Sequence, residues 1–187
     1  FFTKHQLSHS HNVNVTGGNE KLNYMISGSF YSKDGMLKIN TDNFKSYTFR
    51  SKINAQLFPF LKITNNTQYY DSNYSYYGLE GGGNASFINL RYHAIPAYAP
   101  FNPDGTSTYT TSKNSYSIGN GVTALLADPH SKGVRGMHEM TTTTGLIFEP
   151  VKNLKINANY TYSFYMNDNW YRSTVVRYSI EPGVLQD

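Results

Sequence analysis

Cysteine is absent from the 187 residues. No disulfide, thiolate nucleophile or cysteine-ligated metal is therefore possible. Charge is sparse: Asp, Glu, Lys and Arg make up 15%, against about 25% in an average soluble protein. Soluble globules normally cover themselves with such residues. The net charge is +4, but its basic residues (Lys4, Lys21, Lys38, Arg50, Arg91, Arg135, Arg172) are scattered. They lack the density of a nucleic-acid footprint, so no nucleic-acid partner is expected. No apolar run reaches the ~18 residues that a transmembrane helix requires. The first residues, FFTKHQ, carry neither an initiator Met nor a leader. The expectation is an internal piece of a longer mature chain.

Aromatic residues are abundant, with 17 Tyr and 11 Phe. Such a content argues against disorder. The remaining polarity comes from Asn, Ser and Thr. Few charges, many uncharged polar groups and many rings suit a sheet with two unlike faces, one against lipid and one against water. Transmembrane β-barrels have this make-up, with aromatic girdles at both interfaces.

Alternation supports that view. Val13 and Val15 oppose Asn12 and Asn14, then Gly17-Gly18-Asn19-Glu20 turns the chain. A strand over Lys21–Lys33 puts Leu22, Tyr24, Ile26, Gly28 and Phe30 on one face. Asn23, Ser27 and Ser29 fall on the other, interrupted by Met25, and Asp34-Gly35 reverses or bulges the chain. Over Asn43–Phe58, Tyr47, Phe49, Ile53, Ala55 and Leu57 share a face; Thr48, Arg50, Lys52, Asn54 and Gln56 share the opposite one. In a membrane wall Arg50, Lys52, Asn54 and Gln56 must face the lumen, because an Arg facing lipid at the midplane costs roughly 2–4 kcal/mol.

Pro59-Phe60 separates that strand from one over Leu61–Ser75. A matching unit follows: Thr141–Glu149, then Pro150-Val151-Lys152-Asn153, then Leu154–Asn167. Leu61-Lys62-Ile63 and Leu154-Lys155-Ile156 open their strands identically after Pro-containing turns. A further strand is expected over Trp170–Glu181, broken by Pro182-Gly183. Between residues 76 and 133 lies a long irregular segment with Gly81-Gly82-Gly83 and Asn102-Pro103-Asp104-Gly105. Within it, Asn84–Ile95 fits one short helix stopped by Pro96. A connection this long is rare in a compact domain. Beside short turns it fits the long extracellular loops of outer-membrane barrels.

The run His11–Lys21 (HNVNVTGGNEK) resembles the HN-V-S-V-S-G-G-x-E-K segment of the SusC/RagA-like TonB-dependent transporters of bacterial outer membranes. Tyr24–Gly35 is similar to that family's next aromatic strand with its terminal Q/D-G turn. Phe44–Asn54 resembles its Y-K-R-Y-N-x-R-x-N-x-D strand, and Phe60–Ile63 its W-L-K-V strand start. Asn102-Pro103-Asp104-Gly105 falls where the family often has an N-P-D-G loop. Thr16 stands for the usual Ser and Phe60 for the usual Trp. The family's plug segment and TonB box have no counterpart among these residues. The resemblance implies the Gram-negative outer membrane, TonB-driven uptake of a glycan or peptide oligomer, a SusD-like surface lipoprotein as lid, and contact with the TonB complex through parts not in this sequence.

Candidate sites remain to be weighed. His9 and His11 share a strand face and suggest a metal pair, but no acidic residue completes a cluster, so wall histidines are the better account. Glu139, Glu149 and Asp128 show no catalytic spacing, and no Ser has a His and acid partner pattern. No enzyme activity and no cofactor are expected. Rings and polar groups of the long segment, Tyr76, Tyr77, Arg91, Tyr92, Tyr98, Phe101 and Asn102, are the candidates for contact with solute or lid protein. The plain alternative is that they form the loop's own small core.

The expected fold is all-β: an antiparallel up-and-down transmembrane barrel, in part, with about seven strands over residues 8–75 and 134–181 and a long extracellular loop over 76–133. All 187 residues are assigned to this one barrel piece. Two alternatives stay open, a passive porin and a soluble, aromatic-rich β-sandwich that binds carbohydrate.

Overall fold

The computed structural model describes residues 3–38, 41–77, 101–106 and 130–172. Six strands run through them: β1 (Ser8–Gly18), β2 (Leu22–Asp34), β3 (Asn43–Phe58), β4 (Leu61–Tyr77), β5 (Lys132–Val151) and β6 (Leu154–Arg172). Each pairs antiparallel with the next in chain order, forming one up-and-down sheet. The sheet is open, and β1 and β6 do not meet. No helix long and apolar enough to cross a membrane occurs among the described residues, a fact that does not bear on strands.

Local chemistry sets the turns. Asn19 closes the β1–β2 hairpin: its side-chain oxygen accepts from the Lys21 and Leu22 amides, both at 2.9 Å. This Asx turn adds to a backbone bond in which the Asn19 amide donates to the Leu22 carbonyl at 2.7 Å. Pro59-Phe60 joins β3 to β4. There the Gln56 amide donates to the Phe58 carbonyl at 2.6 Å. Asn153, at φ 71°, makes the β5–β6 turn, a conformation Asn tolerates better than most residues. These hairpins all lie at one end of the sheet. At the other end Gly35 donates its amide to the Asp42 carbonyl at 2.7 Å, closing a loop that buries Leu37.

The register fixes two faces. Paired residues point the same way and alternate residues point oppositely. One face carries Val13 and Val15 (β1), Leu22, Tyr24, Ile26 and Phe30 (β2), and Tyr47, Phe49 and Ile53 (β3). It continues through Leu61, Ile63 and Tyr69 (β4), Met140, Leu146 and Phe148 (β5), and Ile156, Tyr160, Tyr162 and Phe164 (β6). The opposite face is polar and carries Asn12, Asn14, Ser27, Arg50, Lys52, Gln68, Thr143 and Asn159.

Among the described residues the sheet is a single layer. Among the described large apolar residues only Leu37 and Tyr76 are buried. Val13 is 67% exposed and Tyr160 70% exposed. A soluble monomer rarely presents so wide an apolar surface.

That surface ends on a line. On β6 the apolar series runs from Leu154 to Met166 and is followed by Asp168. On the neighbouring strands the first ionisable groups beyond the band are His138, Asp71 and Lys45. Between this row and the short turns, the apolar face of β2–β6 holds no Asp, Glu, Lys or Arg. Leu154 to Met166 covers roughly 40 Å of strand at about 3.3 Å per residue. A tilt of about 40° reduces this to about 30 Å, the thickness of a bilayer's hydrocarbon core. At the turn end Phe58 and Phe60 stack at 5.4 Å, and Phe60 meets Phe148 edge-on at 5.9 Å.

Several boundaries differ from the sequence expectation. Tyr76 and Tyr77 are the last residues of β4, and Lys132 and Gly133 begin β5, so the long connection is shorter at both ends. β5 starts well before Thr141 because its first residues pair with β4 along their whole length, Tyr77 with Lys132 included. Trp170 does not open a new strand. It continues β6, opposite Val134, because pairing with Arg135 and Gly136 carries the strand through Asn169 and Asp168. The remainder of the strand expected to Glu181 and the helix expected over Asn84–Ile95 lie outside the described residues.

Candidate functional site

The polar face is the candidate site, and its centre lies on β3. Arg50, Lys52, Asn54 and Gln56 are four alternate residues of that strand and share this face. Arg50 lies opposite Ser27 on β2 and Gln68 on β4. Lys52 lies opposite Met25 and Asn66. Both side chains are exposed, and neither has an ion-pair partner among the described residues. Gln56 is otherwise employed, since its amide is committed to the carbonyls of the β3–β4 turn.

Below this row, Gln56, Pro59, Phe60, Lys62, Ile147, Glu149 and Lys155 line an open basin of about 360 Å³. Lys155 Nζ and Glu149 Oε1 pair across it at 3.3 Å.

Above the row the face becomes aromatic. Tyr31 and Phe44 pack at 6.1 Å, and Tyr74 stacks on Tyr76 at 5.7 Å. The Arg135 guanidinium lies 5.2 Å from the centre of the Tyr76 ring, a cation–π arrangement. The Tyr74 hydroxyl donates to Asp42 Oδ2 at 3.0 Å. Gly133 permits this packing, since a Cβ there would run into the Tyr76 ring. Tyr76 is therefore covered by its neighbours, while Tyr31, Phe44 and Tyr74 keep part of their rings exposed.

Charge is unequally divided between the faces. The polar face carries Lys33, Arg50, Lys52, Lys62, Arg135 and Lys155, against Glu139 and Glu149. The strand aspartates Asp34, Asp71 and Asp168 all lie on the apolar side, where Lys45, Lys132 and Arg172 balance them.

The remaining candidates are dispersed. Tyr77 ends β4, paired with Lys132 of β5. Asn102 begins a tight turn in which Gly105 donates to its carbonyl at 2.9 Å. Its side-chain amide bonds Thr106 Oγ1 at 3.0 Å, within the same turn. Phe101 precedes it and is half-buried. Arg91, Tyr92 and Tyr98 lie outside the described residues. His9 and His11 share the apolar face with ring centres 5.5 Å apart, against Phe30. No group of three or more metal-ligating residues forms among the described residues.

Two clusters were not anticipated. Arg135 completes the aromatic group from the first residues of β5, between Gly133 and Gly136. On the apolar face, the Asn65 amide donates to Thr142 Oγ1 at 3.2 Å and Thr144 Oγ1 at 3.0 Å. Thr67 donates to Asn65 Oδ1 at 3.0 Å and meets Thr142 at 2.8 Å. Period-two alternation marks Asn65 and Thr67 as breaks in an apolar face, but only the register brings the threonines to them.

No protein-family model and no curated protein matches this chain.

Proposed function

We propose that the chain is part of the wall of an outer-membrane β-barrel transporter of the SusC/RagA-like, TonB-dependent kind. Its apolar face meets lipid and its polar face meets the water-filled passage. The observation that carries this proposal is the segregation of charge. A band about as tall as a bilayer core is free of Asp, Glu, Lys and Arg on one face of β2–β6, while Arg50, Lys52, Lys62 and Lys155 stand at the same levels on the other. A sheet that, among the described residues, forms a single layer with almost no buried apolar side chain suits such a surrounding. Long strands with short turns at one end and a long connection at the other fit the same architecture. The solute is a glycan or peptide oligomer, with a SusD-like surface lipoprotein as lid and the TonB complex as the source of energy.

The absence of cysteine from these 187 residues allows a direct test. Single cysteines at positions 154 to 166, placed in the full-length protein in its native envelope and spin-labelled, should alternate between oxygen-accessible and water-accessible sites. Even positions should be the lipid-facing ones. Uniform water accessibility would mean the sheet lies outside a membrane. For transport, deletion of residues 83–131 should abolish oligomer uptake or lid association while the barrel still assembles, and unchanged uptake would remove that role.

A further inference from the structure

We propose that the solute conducted along the polar face is an acidic oligosaccharide, one bearing carboxylate or sulfate groups, and that Arg50 and Lys52 are the residues that select it. The inference rests on the transport reading and narrows its substrate class.

The chain's overall basicity does not explain the pattern. Strand charges on the apolar side balance, Asp34, Asp71 and Asp168 against Lys45, Lys132 and Arg172. The positive excess is confined to the polar side. At its centre Arg50 and Lys52 are two residues apart on one strand, so their stems rise about 7 Å from each other. Every cross-strand neighbour of this pair is uncharged: Ser27, Met25, Gln68 and Asn66. Glu149 is taken by Lys155, and Glu139 lies opposite Tyr70 and Tyr165. Among the described residues the central cations are thus left without counter-charge. If the wall served only to stay wet, Asn, Ser and Thr would suffice, as they do at the same levels on β6.

Chemistry matches an acidic sugar chain to this surface. A guanidinium grips a carboxylate or sulfate through two parallel N–H bonds, and an ammonium serves as a point charge. Hydroxyl groups of the sugar find amide and hydroxyl partners in Ser27, Asn66 and Gln68. Half-exposed rings at Phe44 and Tyr74, on the same face, offer apolar planes to the sugar ring. In a passage with low-dielectric walls, fixed positive charge also concentrates anions at the entrance.

The test uses the purified full-length protein, with binding followed calorimetrically. The probes are an oligogalacturonate, a chondroitin sulfate oligosaccharide, a neutral maltooligosaccharide and an oligoglutamate of matched length. An acidic sugar should bind, weaken as salt is raised, and lose at least about fivefold in affinity with each of Arg50→Gln and Lys52→Gln. Lys45→Gln, on the other face, should change nothing. Preference between the two acidic sugars tells carboxylate from sulfate. The proposal is overturned if the neutral sugar binds equally well, if the two substitutions leave acidic-sugar binding intact, if oligoglutamate binds best, or if no probe binds. Heat-resistant migration of the variants in gels monitors barrel assembly. Those results leave the spin-label pattern untouched, so failure here is distinguishable from failure of the transporter assignment.

Discussion

Asp71 and His138 face each other across β4 and β5, with Oδ2 2.6 Å from Nδ1. The pair stands on the apolar face, just past the last apolar residues, Tyr69 and Met140. The Tyr69 hydroxyl also reaches Asp71 Oδ2 at 3.3 Å. The rim of the apolar band is therefore a set of bonded polar groups and not an arbitrary change of composition. Both side chains are about a quarter exposed, 27% and 28%. Asp71→Asn should lower stability by no more than about 1 kcal/mol, as for other accessible ion pairs. Denaturant unfolding in lipid vesicles measures this. A much larger loss would place the pair in a buried contact.

The Asn65 cluster is a different case, because it lies inside the band. Asn65→Ala removes two donated bonds and one accepted bond; Thr142 keeps Thr67, while Thr144 loses its Asn65 partner. The expected cost is about 1–3 kcal/mol. The same unfolding assay checks it, and an unchanged midpoint would show that water reaches these groups.

Adjacent positions on β6 should respond oppositely to charge. Tyr160 lies mid-band on the apolar face, and Asn159 lies on the polar one. Tyr160→Lys should destabilise by about 2–4 kcal/mol, and Asn159→Lys by much less. Equal effects would contradict the assignment of faces.

Gly133 and Tyr76 should show energetic coupling. Gly133→Ala forces the ring away from Arg135 and should cost about 1–3 kcal/mol, as overpacking does. With Tyr76→Ala already present the same change should cost little. A double-mutant cycle reads the difference; additive losses would remove the proposed contact.

Much of the sheet was legible in the sequence for a simple reason. Where one face is apolar and the other polar, alternation records the strand, and β3 keeps the expected bounds Asn43–Phe58. Turns were legible where their chemistry is local, as at Asn19 and Pro59-Phe60. The continuity of β5 back to Lys132 and of β6 through Trp170 was not, although residues 134–140 and 170–172 fall within the expected strand regions. Residues 132–138 and 168–172 lie beyond the apolar band, so both of their faces are mixed and no alternation marks them. Their strand state comes from pairing with a neighbour, which overrides the turn preference of Asp168 and Asn169. Of the candidate site, the shared face of Arg50, Lys52, Asn54 and Gln56 was legible from spacing alone. The Arg135–Tyr76 stack and the Asn65–Thr142 bond were not, because each joins segments that only the β4–β5 register aligns.

The strands are unequal, from 11 residues in β1 to 20 in β5. Because the short turns align at one end, all of the surplus accumulates at the other. Beyond His138, β5 continues for about 20 Å to Lys132. In a bilayer this stretch would stand clear of the lipid like a parapet, highest at β4, β5 and β6. Lys132 and Arg172, paired and exposed at its upper end, would be met by a bulky reagent, antibody or phage approaching from outside before anything the membrane covers.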